Sequence, residues 1–570
     1  MPSALNRFLP ITAWGPHYQR SDLRGDVSAG LTIAAMLIPQ AMAYALLAGL
    51  PPIIGLYAAT IPVIVYALLG SSGQLAVGPV AIVSLLTATA LAPLAEQGTA
   101  TYLQAAAILA VMVGVLHVIL GLAHLGFVVN FLSHSVLVGF TAAAAIIIGF
   151  SQVKHLFGVA LPRTDSFGAN LAELSRALPD AHGLTMIVGL GSFVLLMALK
   201  KWFRAIPGAF VVVVAVTATS AVADLSGRGV AVVGSIPAGL PQISIPGFDG
   251  GLIRSLVATA IIITMVGFME SVAVAKVYAR RNRYEIVPNQ ELIALGGANI
   301  AAGLTGGYPV TGGFSRTAVN ANAGARTPLA SLISAGLVLA TLALFTPLFE
   351  PLPQAALGAI IIMAVINLVD VAEMRHIAKV KRSDLVTLIV SFAATLIAGI
   401  ELGIAIAVVA SMLAVFWRLS TPHTAVLGRL PGTTTYRNLA RFPDAETIAG
   451  IRAIRIDAEF SFVNAAFVKK LLLAQAAEAR SINPGPHRSA LILDCSGIND
   501  LDITSVAMLT EVLEELSANG VDLHLSEVRG PIRDVLHDAH LWDRFTDRIH
   551  LSTEEAVLAA SGVDDATPPR

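Results

Sequence analysis

Between residues 26 and 419 apolar residues come in long blocks, broken at intervals by glycine, proline or charge. A helix that crosses the hydrocarbon core of a bilayer needs about 20 mostly apolar residues. On that measure the pattern predicts fourteen membrane segments: 30–49, 51–69, 79–94, 102–122, 135–151, 183–200, 207–225, 255–277, 288–304, 313–325, 327–347, 355–370, 383–399 and 401–418. The third and tenth are too short to span the core. Each begins directly after a Gly-rich stretch, LLGSSGQLAVGP and GLTGGYPVTGG. If the chain is two sevens, they hold equivalent positions, and short or Gly/Pro-interrupted segments at matching places in two halves point to a transporter's binding site. An odd number of segments per half inserts the halves with opposite topology. The expected fold is therefore an all-α polytopic membrane domain of 14 segments in a 7+7 inverted repeat.

The pattern changes after Arg418. Residues 420–440, with Pro422, Pro431 and Gly432, read as a linker, and 441–560 as a soluble α/β domain. IRAIRIDAEF alternates like a strand, and SALILDCSG is a buried strand ending in a turn. ITSVAMLTEVLEELSANG has helical spacing and stops at Gly520; VDLHLSEV is a further strand and PIRDVLHDAHL a further helix. Residues 561–570 are expected to be a disordered tail, and 1–25 a cytoplasmic N-terminal segment. The first apolar run lacks a cleavage site and reads as a retained span.

Composition agrees with a membrane protein. The chain of 570 residues is 55% hydrophobic and 13% charged, with mean hydropathy +0.76, against about 25% charged for soluble domains. A net charge of −1 speaks against a nucleic-acid partner. The single Cys495 excludes an internal disulfide and any CxxC motif. No P-loop and no HExxH motif occur, so neither ATP-driven pumping nor an enzyme is expected. His117, His124 and His134 are scattered, and no metal or other cofactor is assigned. Basic clusters follow the sixth segment (Lys200, Lys201, Arg204), the eighth (Lys276, Arg280, Arg281, Arg283) and the twelfth (Arg375, Lys379, Lys381, Arg382). All fall on one side, which the positive-inside rule makes cytoplasmic, together with both termini. The segment 152–182 would lie outside; its Lys154, Arg163 and Arg176 are a mild exception, balanced by Asp165, Glu173 and Asp180.

Two charges inside apolar segments stand out. Arg316 lies about three residues into the short tenth segment, behind Gly312 and Gly313. Alone it would fit a structural ion pair as well as a ligand contact. Its setting favours the second: glycine lets backbone approach a ligand, and a helix N-terminus presents free N–H groups and roughly +0.5 charge. Two such ends plus Arg316 sum to about +2, which would match a dianion. The facing end is QLAVGPVAIVSLL, where Gly78 permits close approach and Pro79 suits a first helical turn. Glu270 in the eighth segment lies six residues before Lys276, about 9 Å along the helix. An ionised carboxylate there is costly, so a protonatable acid beside an anion site is a natural proton carrier. In the first segment Pro39, Gln40 and Tyr44 sit mid-span. Gln40 and Tyr44 can hydrogen-bond a ligand, and Tyr44 can equally be a packing residue. Asn320 and Asn322 can bond across helices.

GLTIAAMLIPQAMAYALLAGLPPIIGLYAA (30–59), LAVGPVAIVSLL (75–86), GFMESVAVAKVYA (267–279) and GGFSRTAVNANAG (312–324) together resemble the sulfate permease (SulP) family. The terminal LILDCSGINDLDITSV (491–506) resembles the STAS domain found in that family. The resemblance implies fourteen helices, with 1–4 and 8–11 forming a core and 5–7 and 12–14 a gate. It also implies elevator-like movement of core against gate, and a homodimer. It places the anion between the third and tenth helices, at Val77, Gly78, Pro79, Val80, Phe314, Ser315 and Arg316, and Gly313 at the start of the tenth is counted with them as a substrate-binding candidate. An acidic residue on helix 8 helps hold sodium in bicarbonate relatives and is glutamate in plant-type sulfate/proton symporters; Glu270 looks like the latter. One departure concerns the STAS switch motif, usually Asp-Ser/Thr-Ser-Gly with phosphorylation after the Asp. Here it reads Asp502, Ile503, Thr504, Ser505, so the switch is not expected to operate in its usual form.

The expected function is sulfate:proton symport across a bacterial inner membrane, in contact with lipid, with a possible cytosolic protein partner at the STAS domain. The alternatives are sodium-coupled bicarbonate transport, proton-coupled dicarboxylate transport, and, in another class, a non-transporting sensor or scaffold acting through the STAS domain.

Overall fold

The computed structural model describes residues 9–562 apart from 128–132, 161–166, 204–206, 236–238, 248, 367 and 483–488. Arg163, Asp165 and Arg204 of the orientation argument, residues 1–8 of the N-terminal segment and residues 563–570 of the expected tail lie outside the described residues. The chain divides into two compact units at Ser411/Met412.

Helix occupies all fourteen apolar segments. The first seven hold α1 (Arg20–Leu47), α2 (Pro52–Ala58) with α3 (Ile61–Leu69), α4 (Ala81–Leu91), α5 (Ala100–Leu122), α6 (His134–Ser151), α7 (Gly183–Trp202) and α8 (Gly208–Ala223). The second seven hold α9 (Gly250–Asn282), α10 (Pro288–Leu304), α11 (Phe314–Asn322), α12 (Leu329–Leu344), α13 (Gln354–Ile366), α14 (Arg382–Ala398) and α15 (Ile400–Ser420). Among the described residues, eight helical stretches are long and apolar enough to cross a membrane. Several differences from the sequence reading have plain causes. Pro62 opens a new helix and splits the second segment in two. α1 and α9 run on beyond their apolar stretches into polar sequence, which hydropathy cannot follow. Short helices Val153–Phe157, Phe167–Ala177 and Val371–Val380 occupy connections.

α4 and α11 have 11 and 9 residues. At 1.5 Å per residue that is about half the thickness of a hydrocarbon core. Each is preceded by a two-residue strand, β1 (Val77–Gly78) and β2 (Thr311–Gly312), and these pair antiparallel, Val77 opposite Gly312 and Gly78 opposite Thr311. The two Gly-rich stretches thus meet each other.

Packing follows two equivalent halves. Exchanging each segment for the one seven places on carries α1–α12 contact onto α9–α5 contact, α5–α10 onto α12–α3, α6–α14 onto α13–α7, and α1–α4 onto α9–α11. Of these pairs, the ones outside the gate lie within or between segments 1–4 and 8–11, while α6 packs on α14 and α7 on α13, in keeping with the expected core and gate. At the α5–α10 crossing the helices touch through glycine. A Cβ on Gly296 would lie 2.8 Å from the Gly114 carbonyl oxygen, one on Gly114 2.7 Å from that of Gly296, and one on Gly303 2.5 Å from that of Ala107. In lipid, close backbone approach of this kind is what holds helices together.

The second unit is a six-stranded sheet in the order β4-β3-β5-β6-β7-β8: β3 (Thr424–Arg429), β4 (Tyr436–Asn438), β5 (Ile451–Ile456), β6 (Ser489–Asp494), β7 (Val521–Ser526) and β8 (Ile549–His550). The β5–β8 pairs are parallel, and β3 pairs antiparallel with both neighbours. Alternation assigns the faces. Ile454, Ile456, Leu491 and Leu493 join one core with α16 (Ala465–Ile482), α17 (Ile503–Ala518) and α18 (Gly530–Asp538). Ala453 and Ile492 join the other, under α19 (Thr553–Ser561). Every residue of β6 is buried, as expected of a strand covered on both faces. The reading of 420–440 as a linker is corrected. Residues 424–438 are a hairpin of the sheet, and Pro431 with Gly432 (φ +72°) is its turn rather than a break between domains.

Gly296→Ala should lower stability by about 1–3 kcal/mol, the usual cost of overpacking. Gly336→Ala on α12, whose Cβ meets nothing within 4 Å, should not. Thermal unfolding of the detergent-solubilised protein checks both.

Candidate functional site

The first turns of α4 and α11 face a common cavity of about 40 Å³, room for roughly three waters or one small polyatomic ion. Four parts of the fold meet around it, three of them with polar side chains and α4 with the backbone of its first turn. α1 gives Gln40 and Tyr44 beside Pro39; α4 gives Val80, Ala81 and Ile82; α9 gives Glu270; α11 gives Gly313, Phe314, Ser315 and Arg316. The remaining wall is apolar: Ala364 and Val365 of α13, and Leu368 just beyond it.

Neither half-helix has a side-chain cap. The N-cap residues are Val80 and Gly313, and no acidic residue lies in either first turn. The first N–H groups of a helix have no intrahelical partner, so both ends present uncompensated donors and partial positive charge to the cavity.

Arg316 is 2% exposed. Its Nη1 donates to the Pro79 carbonyl, tying the start of α11 to the start of α4. Its Nε and Nη2 are buried without a hydrogen-bond partner among the described residues, although buried donors are nearly always paired. Glycine gives this guanidinium its place. A Cβ on Gly78 or on Gly313 would lie 3.4 Å from Nη2. The glycines were expected to bring backbone to a ligand; what presses on them here is the Arg316 side chain.

Glu270 is 6% exposed, and its Oε2 has no hydrogen-bond partner among the described residues. It lies well inside its helix. α9 continues to Asn282, so twelve residues, about 18 Å of helix, separate the acid from that end. Behind the cavity, Ser271 Oγ accepts from Gly312 N–H at 2.9 Å and meets Thr311 Oγ1 at 2.7 Å. The helix that carries Glu270 therefore also holds β2.

Gln40, Tyr44, Val80, Gly313, Phe314, Ser315, Arg316 and Glu270 thus share one cavity. Val77, Gly78 and Pro79 stand behind it, as the ladder and the Arg316 acceptor. Sequence reasoning missed Ala81 and Ile82, which a count along the first turn of α4 would have found. It also missed Ala364, Val365 and Leu368, which carry no polar signal.

In the second unit, Asp502 is the N-cap of α17. Its Oδ1 accepts from Ser505 N–H and Ser505 Oγ, each at 2.8 Å, and its Oδ2 from Phe462 N–H at 2.6 Å. Desolvation works against the charge, but these hydrogen bonds outweigh it and hold the carboxyl below the usual aspartate range. Ser505 is fully buried, its hydroxyl spent on Asp502. Of the two hydroxyl residues that follow Ile503 in the motif, only Thr504 is exposed, beside Ile503 at 82% exposure.

Comparison with known proteins places these features. Residues 23–391 match the model of the Sulfate permease family, and residues 442–556 that of the STAS domain. The chain is 38% identical over 543 residues to "Sulfate transporter 4.1, chloroplastic" of Arabidopsis thaliana, covering 93% of this chain and 78% of that one. It is 36% identical over 553 residues to a probable sulfate transporter of Mycobacterium tuberculosis, covering 96% and 98%. A solved structure of the murine Slc26a9 anion transporter in the inward-facing state superposes with a TM-score of 0.89 at 26% identity, over 99% of this chain and 95% of that one. The transmembrane domain of a cyanobacterial bicarbonate transporter shares the fold, with a TM-score of 0.61 at 24% identity over 69% of this chain and 98% of that one.

Asp502→Ala should destabilise the second unit by about 0.5–2 kcal/mol at neutral pH, the usual cost of losing a cap. Because folding lowers the Asp502 pKa, the charged cap's contribution is complete above the ordinary aspartate range. It fades as pH falls through the lowered value. Denaturant unfolding of wild type and variant across acid pH should therefore show the gap narrow only at the acid end.

Proposed function

The chain belongs to the sulfate permease family, and on that premise we propose that it imports sulfate together with a proton by elevator-type alternating access. That it is an anion transporter of the sulfate-transporter kind, and not an enzyme, follows from its relatives. The finer reading rests on one observation: a small buried cleft holds two uncapped helix N-termini, an arginine with two nitrogens and an acid with one oxygen that have no hydrogen-bond partner among the described residues.

In this reading the anion lies between the first turns of α4 and α11. It accepts hydrogen bonds from their backbone N–H groups, from Ser315, and from Nε and Nη2 of Arg316. Gln40 and Tyr44 complete its shell from α1. Arg316 therefore touches the anion as well as setting the field, since two of its donors have nothing else to bind. A dianion brings two negative charges, and an ionised Glu270 would add a third in the same cleft. Protonation of Glu270 removes that repulsion, so anion and proton enter together. The core then carries both past α13, and release on the far side frees the proton. The same reading has α4 and α11 ending partway through the membrane among fourteen segments. Both termini lie in the cytoplasm of a bacterial inner-membrane protein, since the basic ends of α7 and α9 and the cluster around α14 lie on that side. A homodimer and a cytosolic partner at the STAS domain belong to the reading as well.

Uptake of labelled sulfate into proteoliposomes should rise severalfold with an inward proton gradient and should not need sodium. Uptake indifferent to the gradient, or better competed by bicarbonate or a dicarboxylate than by sulfate, defeats the proposal. Glu270→Gln should abolish gradient-driven accumulation yet keep sulfate–sulfate exchange. Arg316→Ala should weaken sulfate binding by about 10–100-fold, the worth of one or two charge-assisted hydrogen bonds, with Arg316→Lys in between.

A further inference from the structure

A second carboxylate in the first unit is more deeply buried than Glu270. Glu291, in the first turn of α10, is 0% exposed. An acid at a helix N-terminus commonly serves its own helix. This one bonds across 220 residues of sequence or more. Its Oε2 accepts from Tyr66 OH at 2.8 Å, and its Oε1 from Ser71 N–H and Ser71 Oγ, each at 2.7 Å. Three donors meet two oxygens, as suits a group that only accepts.

The turn that Glu291 grips leads into the cleft. Ser71 opens residues 71–76, which run directly into β1 and then α4. The same turn is bonded to the other half-helix. Asn320 on α11 donates to the Gln74 carbonyl at 2.9 Å, Ala76 N–H to Thr317 Oγ1 at 3.1 Å, and Gly313 N–H to the Ala76 carbonyl at 3.2 Å. One six-residue turn therefore fixes where α4 starts and how far that start lies from α11.

We propose that Glu291 is a positioning residue for the anion cleft: by clamping the 71–76 turn from α10, it sets the separation of the two half-helix N-termini. The inference rests on the reading of that cleft as the anion site. Glu291 touches nothing in the cleft and acts only through the turn. Its removal changes the spacing of donors that must converge on one small ion, and an ångström of misplacement at such a site costs up to about 100-fold.

The test is sulfate uptake by the full chain in proteoliposomes, with sulfate KM and maximal rate measured separately, beside sulfate titration of the detergent-solubilised protein. Glu291→Ala should raise KM and Kd by about tenfold or more, out of proportion to any change in the rate per folded molecule. Glu291→Gln, which keeps an acceptor for Ser71, should restore most of the affinity. If Glu291→Ala does not fold, Ser71→Ala removes one donor from outside α10 and should raise KM about threefold. An unchanged KM and Kd in whichever of these variants folds, with only thermal stability or yield reduced, overturns the proposal. Arg316→Ala measured alongside separates the two claims. If it leaves sulfate affinity intact, the cleft reading has failed. If it weakens affinity while the Glu291 and Ser71 variants do not, the positioning role alone has failed.

Discussion

A backbone that leaves its helix inside an apolar bundle must find hydrogen-bond partners there, because lipid and alkyl side chains offer none. This chain does so ahead of α4 and ahead of α11, and these two departures satisfy each other. The Val77–Gly78 and Thr311–Gly312 strands pair, Thr311 and Gly312 bond to α9, and Ala76 bonds to α11. The price of such an interruption is two helix starts with no preceding turn and no side-chain cap. That is also its use: partial positive charge and free N–H groups end up in the interior, pointing at one small cavity.

The two halves match in packing but not in chemistry. α1 corresponds to α9, yet one brings neutral Gln40 and Tyr44 and the other Glu270. α4 corresponds to α11, yet one brings Ala81 and Ile82 and the other Ser315 and Arg316. Both formal charges in the cleft thus come from the second half, while the first supplies geometry, neutral donors, and the Pro79 carbonyl that anchors the arginine. A scaffold with matching helix pairs and one charged half gives a site whose two rims differ electrostatically.

Much of this was legible in the sequence. Apolar blocks located the helices because hydropathy reports burial in lipid directly, and Arg316 and Glu270 stood out because charge is rare there. Two short segments behind Gly-rich stretches named the cleft before any coordinates. The rest was hidden for physical reasons. α1 and α9 extend into polar sequence, where hydropathy falls silent. Pro431 and Gly432 are punctuation whether they end a domain or turn a hairpin, so β3 and β4 were mistaken for a linker. Glu291 carried no signal because its partners, Tyr66 and Ser71, lie over 200 residues away. The apolar wall of Ala364, Val365 and Leu368 is indistinguishable from any other membrane helix until its neighbours are known.

That wall has a mechanical meaning. Every side-chain hydrogen-bonding group at the cleft belongs to α1, α9 or α11, whereas the α13 side contributes only alkyl side chains. Whatever the cleft holds is therefore bonded to one side of it alone. In the proposed elevator movement, sliding along the other side would exchange one alkyl contact for another and break no side-chain hydrogen bond to the contents. Under that proposal α13 is a bearing surface rather than a latch.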